Sequence, residues 1–188
     1  MDQRFSWLIF SYKVASEPST LRVRIWRNLK DLGVLYIQQS VCVVPDISDV
    51  RKKLQLIQKL ILEHSGESTL LEVERLTELT EEELIKQFNQ QRSLEWQEFM
   101  EQSDGFLEEI RSETAKKNFA FREVEENEAD LLKLKRWFRK ILKRDFFFSP
   151  MLTASKERLD QCECVLSEFT KSVYCLEGFS EGEINPNA

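Results

Sequence analysis

The stretch Ser6 to Pro45, SWLIFSYKVASEPSTLRVRIWRNLKDLGVLYIQQSVCVVP, decides how the chain is organised. Its opening run, Trp7 to Tyr12, is apolar, rich in β-preferring residues and short enough for a buried strand. Ser16-Glu17-Pro18-Ser19 interrupts the run and suits a helix start, because a proline in the first turn gives up no donor that the helix needs. Leu21, Ile25, Leu29 and Leu32 then recur at helical spacing, and Gly33 supplies a stop. Two more β-rich runs follow, Val34 to Ile37 and Val41 to Val44, closed by Pro45.

Downstream, Asp46 or Ser48 is placed to cap a second helix reaching about His64, with Val50, Leu54, Ile57, Leu60 and Ile61 as its apolar stripe. Thr69 to Leu76 reads as a fourth strand, with Leu71 and Val73 alternating against Glu72 and Glu74. The order βαββαβ over residues 1–76 predicts a ferredoxin-like domain, an antiparallel sheet carrying two helices on one face. The fold class expected is therefore α+β, with a long-helix bundle over residues 77–178 packed on that domain and a flexible polar tail at 179–188.

In the helical part, Thr80-Glu81-Glu82-Glu83 is a capping-box signature. Ile85, Phe88, Trp96, Phe99, Phe106 and Ile110 mark a long stripe with Arg92 and Ser103 in its gaps, and Asp104-Gly105 is a point where the helix is expected to bend or break. A turn, or alternatively a continuous helix, is expected around Asn118 to Arg122, then a helix from about Glu125 to Arg144 striped by Leu131, Leu134, Phe138, Ile141 and Leu142. The last helix, Thr153 to Leu176, places Leu159, Cys162, Leu166, Phe169, Val173 and Leu176 in alternating steps of three and four, with Gly178 as its cap.

The 188 residues, 41% hydrophobic with 13 Phe, suffice for a proper core in one domain or two small ones. No secretory pattern opens the chain, and no run approaches the roughly 20 apolar residues that span a bilayer. A soluble cytoplasmic protein without membrane contact is expected. Cys42, Cys162, Cys164 and Cys175 show no CxxC spacing and His64 is the single histidine, so no zinc site, no cofactor and reduced structural thiols are expected.

The net charge of −6 disfavours indiscriminate attraction to nucleic acid, but the charges are segregated. Glu78 to Glu109 holds ten acids against Lys86 and Arg92, whereas Leu131 to Arg144 holds seven bases and no acid. Two readings of that basic helix stand. Either it pairs with the acidic helix, or Arg136, Arg139, Lys140 and Arg144 hold an external anion, the phosphates of DNA or an oxyanion, with Trp137 free to stack on a base. A second cationic cluster lies on the first helix, where Arg22, Trp26 and Lys30 share a face, with Arg24 and Arg27 nearby and Lys13 leaning toward the same region. Here too Trp26 either packs as partial core beneath the basic stems or helps to grip an anion. Asp145 beside Arg144 suits a salt bridge or helix end, and Phe146 and Phe147 suit hydrophobic anchoring to the sheet. No Gly-rich phosphate loop, GxSxG or HExxH motif is present, so an enzyme is not expected.

Tyr12-Lys13-Val14, Glu17-Pro18-Ser19, Arg22, Trp26-Arg27-Asn28-Leu29-Lys30, Leu32-Gly33, the run from Gln38-Gln39 to Val44-Pro45, and Arg144-Asp145-Phe146-Phe147 together resemble the N-terminal domain family of the chromate-resistance protein ChrB. The chain departs from that family in lacking a proline near Ala15, and its length leaves no room for the separate C-terminal domain of full-length members. The resemblance implies the ferredoxin-like fold of the related PaaX regulators and a role in chromate resistance, as a transcriptional regulator or oxyanion sensor. It implies DNA or chromate as a partner, for which the cationic clusters offer Lys13, Arg22, Arg27, Lys30, Arg136, Arg139, Lys140 and Arg144 as candidates. The alternative is a non-catalytic module that homodimerises through a sheet edge or the last helix and binds no DNA. A chromate reductase is a weaker third reading, since no flavin or nicotinamide signature and no redox cysteine pair is visible.

Overall fold

A computed structural model describes residues 6–176 apart from 16, 18, 77 and 78. The expected roles of Ser16, Pro18 and Gly178 and the polar tail lie outside the described residues. Strand β1 (Trp7–Lys13) is followed by helix α1 (Ser19–Leu32), strands β2 (Leu35–Gln38) and β3 (Val41–Pro45), helix α2 (Ser48–Glu63) and strand β4 (Glu67–Val73). The sheet is antiparallel in the order β2-β3-β1-β4, which is the ferredoxin-like arrangement read from the sequence. Helices α3 (Glu81–Ala115), α4 (Phe121–Leu142) and α5 (Leu152–Leu176) complete the chain. Two compact units result, one of residues 1–92 with 142–149 and the other of 93–141 with 150–188.

In the first unit the two-residue period of β1 divides the core. Leu8, Phe10 and Tyr12 join Ile25 and Leu29 of α1 and Leu54 and Ile61 of α2 on one face of the sheet. Trp7 and Ile9 face the other way, where Leu84 and Phe88 of α3 and the segment Phe146-Phe147 cover them. Trp7 lies 5.9 Å from both Phe88 and Phe147. Phe146 and Phe147 therefore do anchor to the sheet. Asp145 holds the turn that follows it, its carboxylate accepting the Ser149 N–H at 2.9 Å.

Helix ends follow from backbone accounting. Gly33, at φ 75°, donates to Lys30 O while Val34 donates to Leu29 O, the paired bonds that close a helix through left-handed backbone. At the end of α2 the left-handed residue is Ser65 rather than Gly66. The start of α2 differs from expectation: Ile47 stands at the cap without a side-chain bond, because Asp46 is taken by Arg51. The same guanidinium binds Glu72, so Glu72 faces the helices and Leu71, expected inward, is 51% exposed. The register sets Leu70 rather than Leu71 opposite the buried Phe10, which explains the exchange of faces. At α3 the capping box forms as read, with Thr80 N–H donating to Glu83 at 2.8 Å and Glu83 N–H to the Thr80 hydroxyl at 3.2 Å.

The second unit is built on Trp96, Phe99 and Phe106 of α3, Leu131, Leu134 and Phe138 of α4, and the predicted stripe of α5 from Leu159 to Val173. Leu142 and Leu176, expected at the ends of two stripes, are exposed. Helix α3 runs through Gly105 without a break. Buried Phe106, Leu107 and Ile110 immediately beyond it outweigh the roughly 1 kcal/mol that a mid-helix glycine costs.

Candidate anion-binding site

Four segments of the first unit surround a groove of about 930 Å³. The end of β1 contributes Tyr12 and Lys13, and α1 contributes Ser19, Arg22, Val23 and Trp26. Strand β2 and its tight turn into β3 contribute Tyr36, Gln38, Gln39 and Ser40. Placement follows from local structure. Positions 19, 22, 23 and 26 form a stripe of α1 that flanks the buried Ile25, Leu29 and Leu32. The irregular register between Tyr36 and Gln38, together with left-handed backbone at Ser40, carries the β2–β3 turn beside β1, where Tyr12 N–H donates to Ser40 O at 3.0 Å.

The hydroxyls of Tyr12 and Tyr36 lie 3.3 Å apart. Burial and that hydrogen bond hold the Tyr36 phenol well above its ordinary pKa, so Tyr36 adds no negative charge to the groove near neutral pH. Lys13 and Arg22 are exposed, and among the described residues neither forms an ion pair; Glu67, opposite Lys13 in the strand register, does not reach it. Lys30 sits over the Trp26 ring, 5.2 Å from its centroid. Trp26 itself is 46% exposed, lining the groove beneath the Lys30 ammonium.

The other candidates fall elsewhere. Arg27 is exposed but lies outside the groove lining. Arg136, Arg139 and Lys140 are exposed on α4 in the second unit. Among the described residues Lys135 binds Glu163 of α5 at 3.0 Å, Lys133 binds Asp130 one turn back, and Arg136, Lys140 and Lys143 have no ion pair. Trp137 is not free to stack, being half-buried with its ring 5.7 Å from Phe99. Arg144 belongs to the first unit, is 9% exposed and pairs with Asp31 at 3.7 Å, which leaves it little surface for a ligand.

Sequence reasoning missed Tyr12, Tyr36, Gln38 and Gln39 as site residues. No periodicity marks them, because their meeting depends on β2 and β1 flanking β3. Among the described residues no three His, Cys, Asp or Glu side chains form a group that could hold a metal, and no helix is long and apolar enough to cross a membrane. Cys42 and Cys162 are buried, and burial pushes their thiols up to about 12 and about 11, while Cys164 and Cys175 are exposed.

Comparison with known proteins fits this architecture. Protein ChrB of Cupriavidus metallidurans is 27% identical over 95 residues, which is 50% of this chain and 29% of that protein. The chain thus spans less than a third of the length of that curated relative. The family described as "Protein ChrB, N-terminal" matches residues 22–179, a stretch that begins at Arg22 of the groove and leaves Tyr12 and Lys13 ahead of it. Since that match takes in well over half of the sequence, the chain belongs to the ChrB N-terminal family.

Proposed function

We propose that the chain is a non-catalytic regulatory module of chromate resistance that recognises anions at two surfaces. The observation that carries this is that Lys13 and Arg22, which have no carboxylate partner among the described residues, both line one groove of the first unit. A tetrahedral oxyanion such as chromate takes charge-assisted bonds from both, and the guanidinium of Arg22 offers paired donors in a fixed fork. The row Arg136, Arg139, Lys140 and Lys143 suits phosphates of a DNA backbone, since these cations are exposed and among the described residues hold no carboxylate. Arg139 is partly oriented already, its Nε donating to Lys135 O at 3.1 Å.

DNA affinity measured against salt tests the second surface. Displaced counterions make the logarithm of affinity fall with the logarithm of salt at about 0.9 per phosphate neutralised. Changing Arg136 and Lys140 to Glu flattens that slope by about two if they contact phosphates. A slope unchanged by the double substitution removes α4 from the account.

The reading as an interaction module has its own support, the exposure of Val23, Trp26 and Tyr36 along the groove. Sedimentation velocity separates the two. Concentration-dependent dimerisation with no anion or DNA binding favours the module.

A further inference from the structure

The groove holds more than a small oxyanion needs. Four oxygens around one centre occupy a small part of about 930 Å³, a volume at the upper end of the roughly 300–1,000 Å³ of sites for drug-sized ligands. Its walls are aromatic as well as cationic, with Trp26 46% and Tyr36 36% exposed and Tyr12 bonded to Tyr36 through the hydroxyls. The faces of such rings carry negative potential, so a bare anion gains nothing from them, whereas a planar ring gains a stacking surface. Gln38 and Gln39 add side chains that both donate and accept, the chemistry that reads the edge of a heterocycle.

Taking the anion subsite at Lys13 and Arg22 from the reading above, we infer that the groove binds a nucleotide. Its phosphate lies on Lys13 and Arg22, its base stacks among Trp26 and Tyr36, and Gln38 and Gln39 face the base edge. Lys30 over the Trp26 ring restrains the indole and so lowers what stacking costs in lost freedom. The nucleotide comes either free or as one residue of single-stranded DNA, and the chemistry in the groove is the same.

The test is calorimetric titration of the full chain with thymidine monophosphate, ribose 5-phosphate, inorganic phosphate, chromate and a five-residue oligothymidylate. Thymidine monophosphate binding at least about fivefold more tightly than ribose 5-phosphate and inorganic phosphate supports the inference, that being the low end of what stacking a base contributes. Trp26→Ala then removes the advantage of the base and leaves inorganic phosphate binding in place, and Tyr36→Ala, on the facing strand, does the same; both side chains are exposed enough for the fold to survive. The oligothymidylate binding more tightly than the monophosphate, with a salt slope, identifies single-stranded DNA as the source, and equal affinity identifies the free nucleotide. Equal affinity for thymidine monophosphate and inorganic phosphate, or an advantage that persists in both variants, overturns the inference. Chromate binding without nucleotide preference overturns it while the regulatory reading stands, and nucleotide binding without chromate does the reverse.

Discussion

Replacing Gly33 and Gly105 by alanine makes the same chemical change twice, and the structure assigns the two opposite signs. At Gly33 the backbone is left-handed, at φ 75°, which costs an L-residue about 1–2 kcal/mol. A Cβ there also lies 2.5 Å from Arg144 Cβ, about 1 Å inside the contact distance of two carbons. That atom is fixed to the backbone, so relief requires moving the segment 142–149, and overpacking of this kind costs about 1–3 kcal/mol. The smaller entropy of the unfolded alanine chain returns about 0.4–1 kcal/mol. The net is a loss of about 2–4 kcal/mol. At Gly105 nothing lies within 4 Å of the added Cβ and the residue is inside α3, so alanine gains about 0.5–1 kcal/mol. Urea unfolding followed by far-ultraviolet circular dichroism reads both: at a slope of about 2 kcal/mol per molar urea, Gly33→Ala lowers its midpoint by about 1–2 M and Gly105→Ala raises it slightly. A Gly33→Ala protein as stable as wild type refutes the placement of Arg144 against the end of α1. Loss of stability on Gly105→Ala refutes the uninterrupted helix.

Other outcomes follow from the same structure. Thr80→Ala removes the cap of α3 and costs about 1 kcal/mol in a thermal or urea titration. The backbone N–H and hydroxyl of Thr80 hold the Glu83 carboxyl below the usual carboxylate range, and Arg51 does the same for Glu72. Both groups are less protonated folded than unfolded, so their contribution is complete above about pH 5 and is lost as pH falls through the depressed values; Glu72→Gln flattens the acid limb of midpoint against pH. Maleimide labelling near pH 8, counted by mass spectrometry, adds two groups quickly to the native protein at Cys164 and Cys175 and all four only in denaturant, since Cys42 and Cys162 are buried with raised pKa values. Phe147→Ala removes a ring 5.9 Å from Trp7 and 5.4 Å from Phe88 and costs about 3 kcal/mol, seen as a lower thermal midpoint.

The fold was legible where local signals agree with each other. Trp7 to Tyr12 alternates between two faces, Gly33 ends α1, and the steps of three and four in α5 are buried from Leu159 to Val173. Errors arose where a long-range partner took over. Asp46 has the chemistry of a cap but is engaged by Arg51, and Leu71 is apolar but loses the inner face to Leu70 through the pairing with β1. Gly105 carries a breaker's propensity that the buried residues around it override. Of the groove, the cations and Trp26 could be read from spacing on one helix, because a helix face is a local property. Tyr36 and the glutamines could not, because only the strand order brings β2 to that place.

In the reading proposed above, Lys13 and Arg22 hold an oxyanion. Calorimetric titration with chromate and with sulfate, on wild type, on Arg22→Glu and on the double variant Arg136→Glu, Arg139→Glu, tests it directly. A charge-assisted bond contributes about 1.5–3 kcal/mol, so saturable chromate binding should weaken by about tenfold or more in Arg22→Glu. The α4 double variant should bind chromate as wild type does. Binding lost in the α4 variant and kept in Arg22→Glu contradicts the groove as the site, and no saturable heat from a folded wild-type protein contradicts the claim itself.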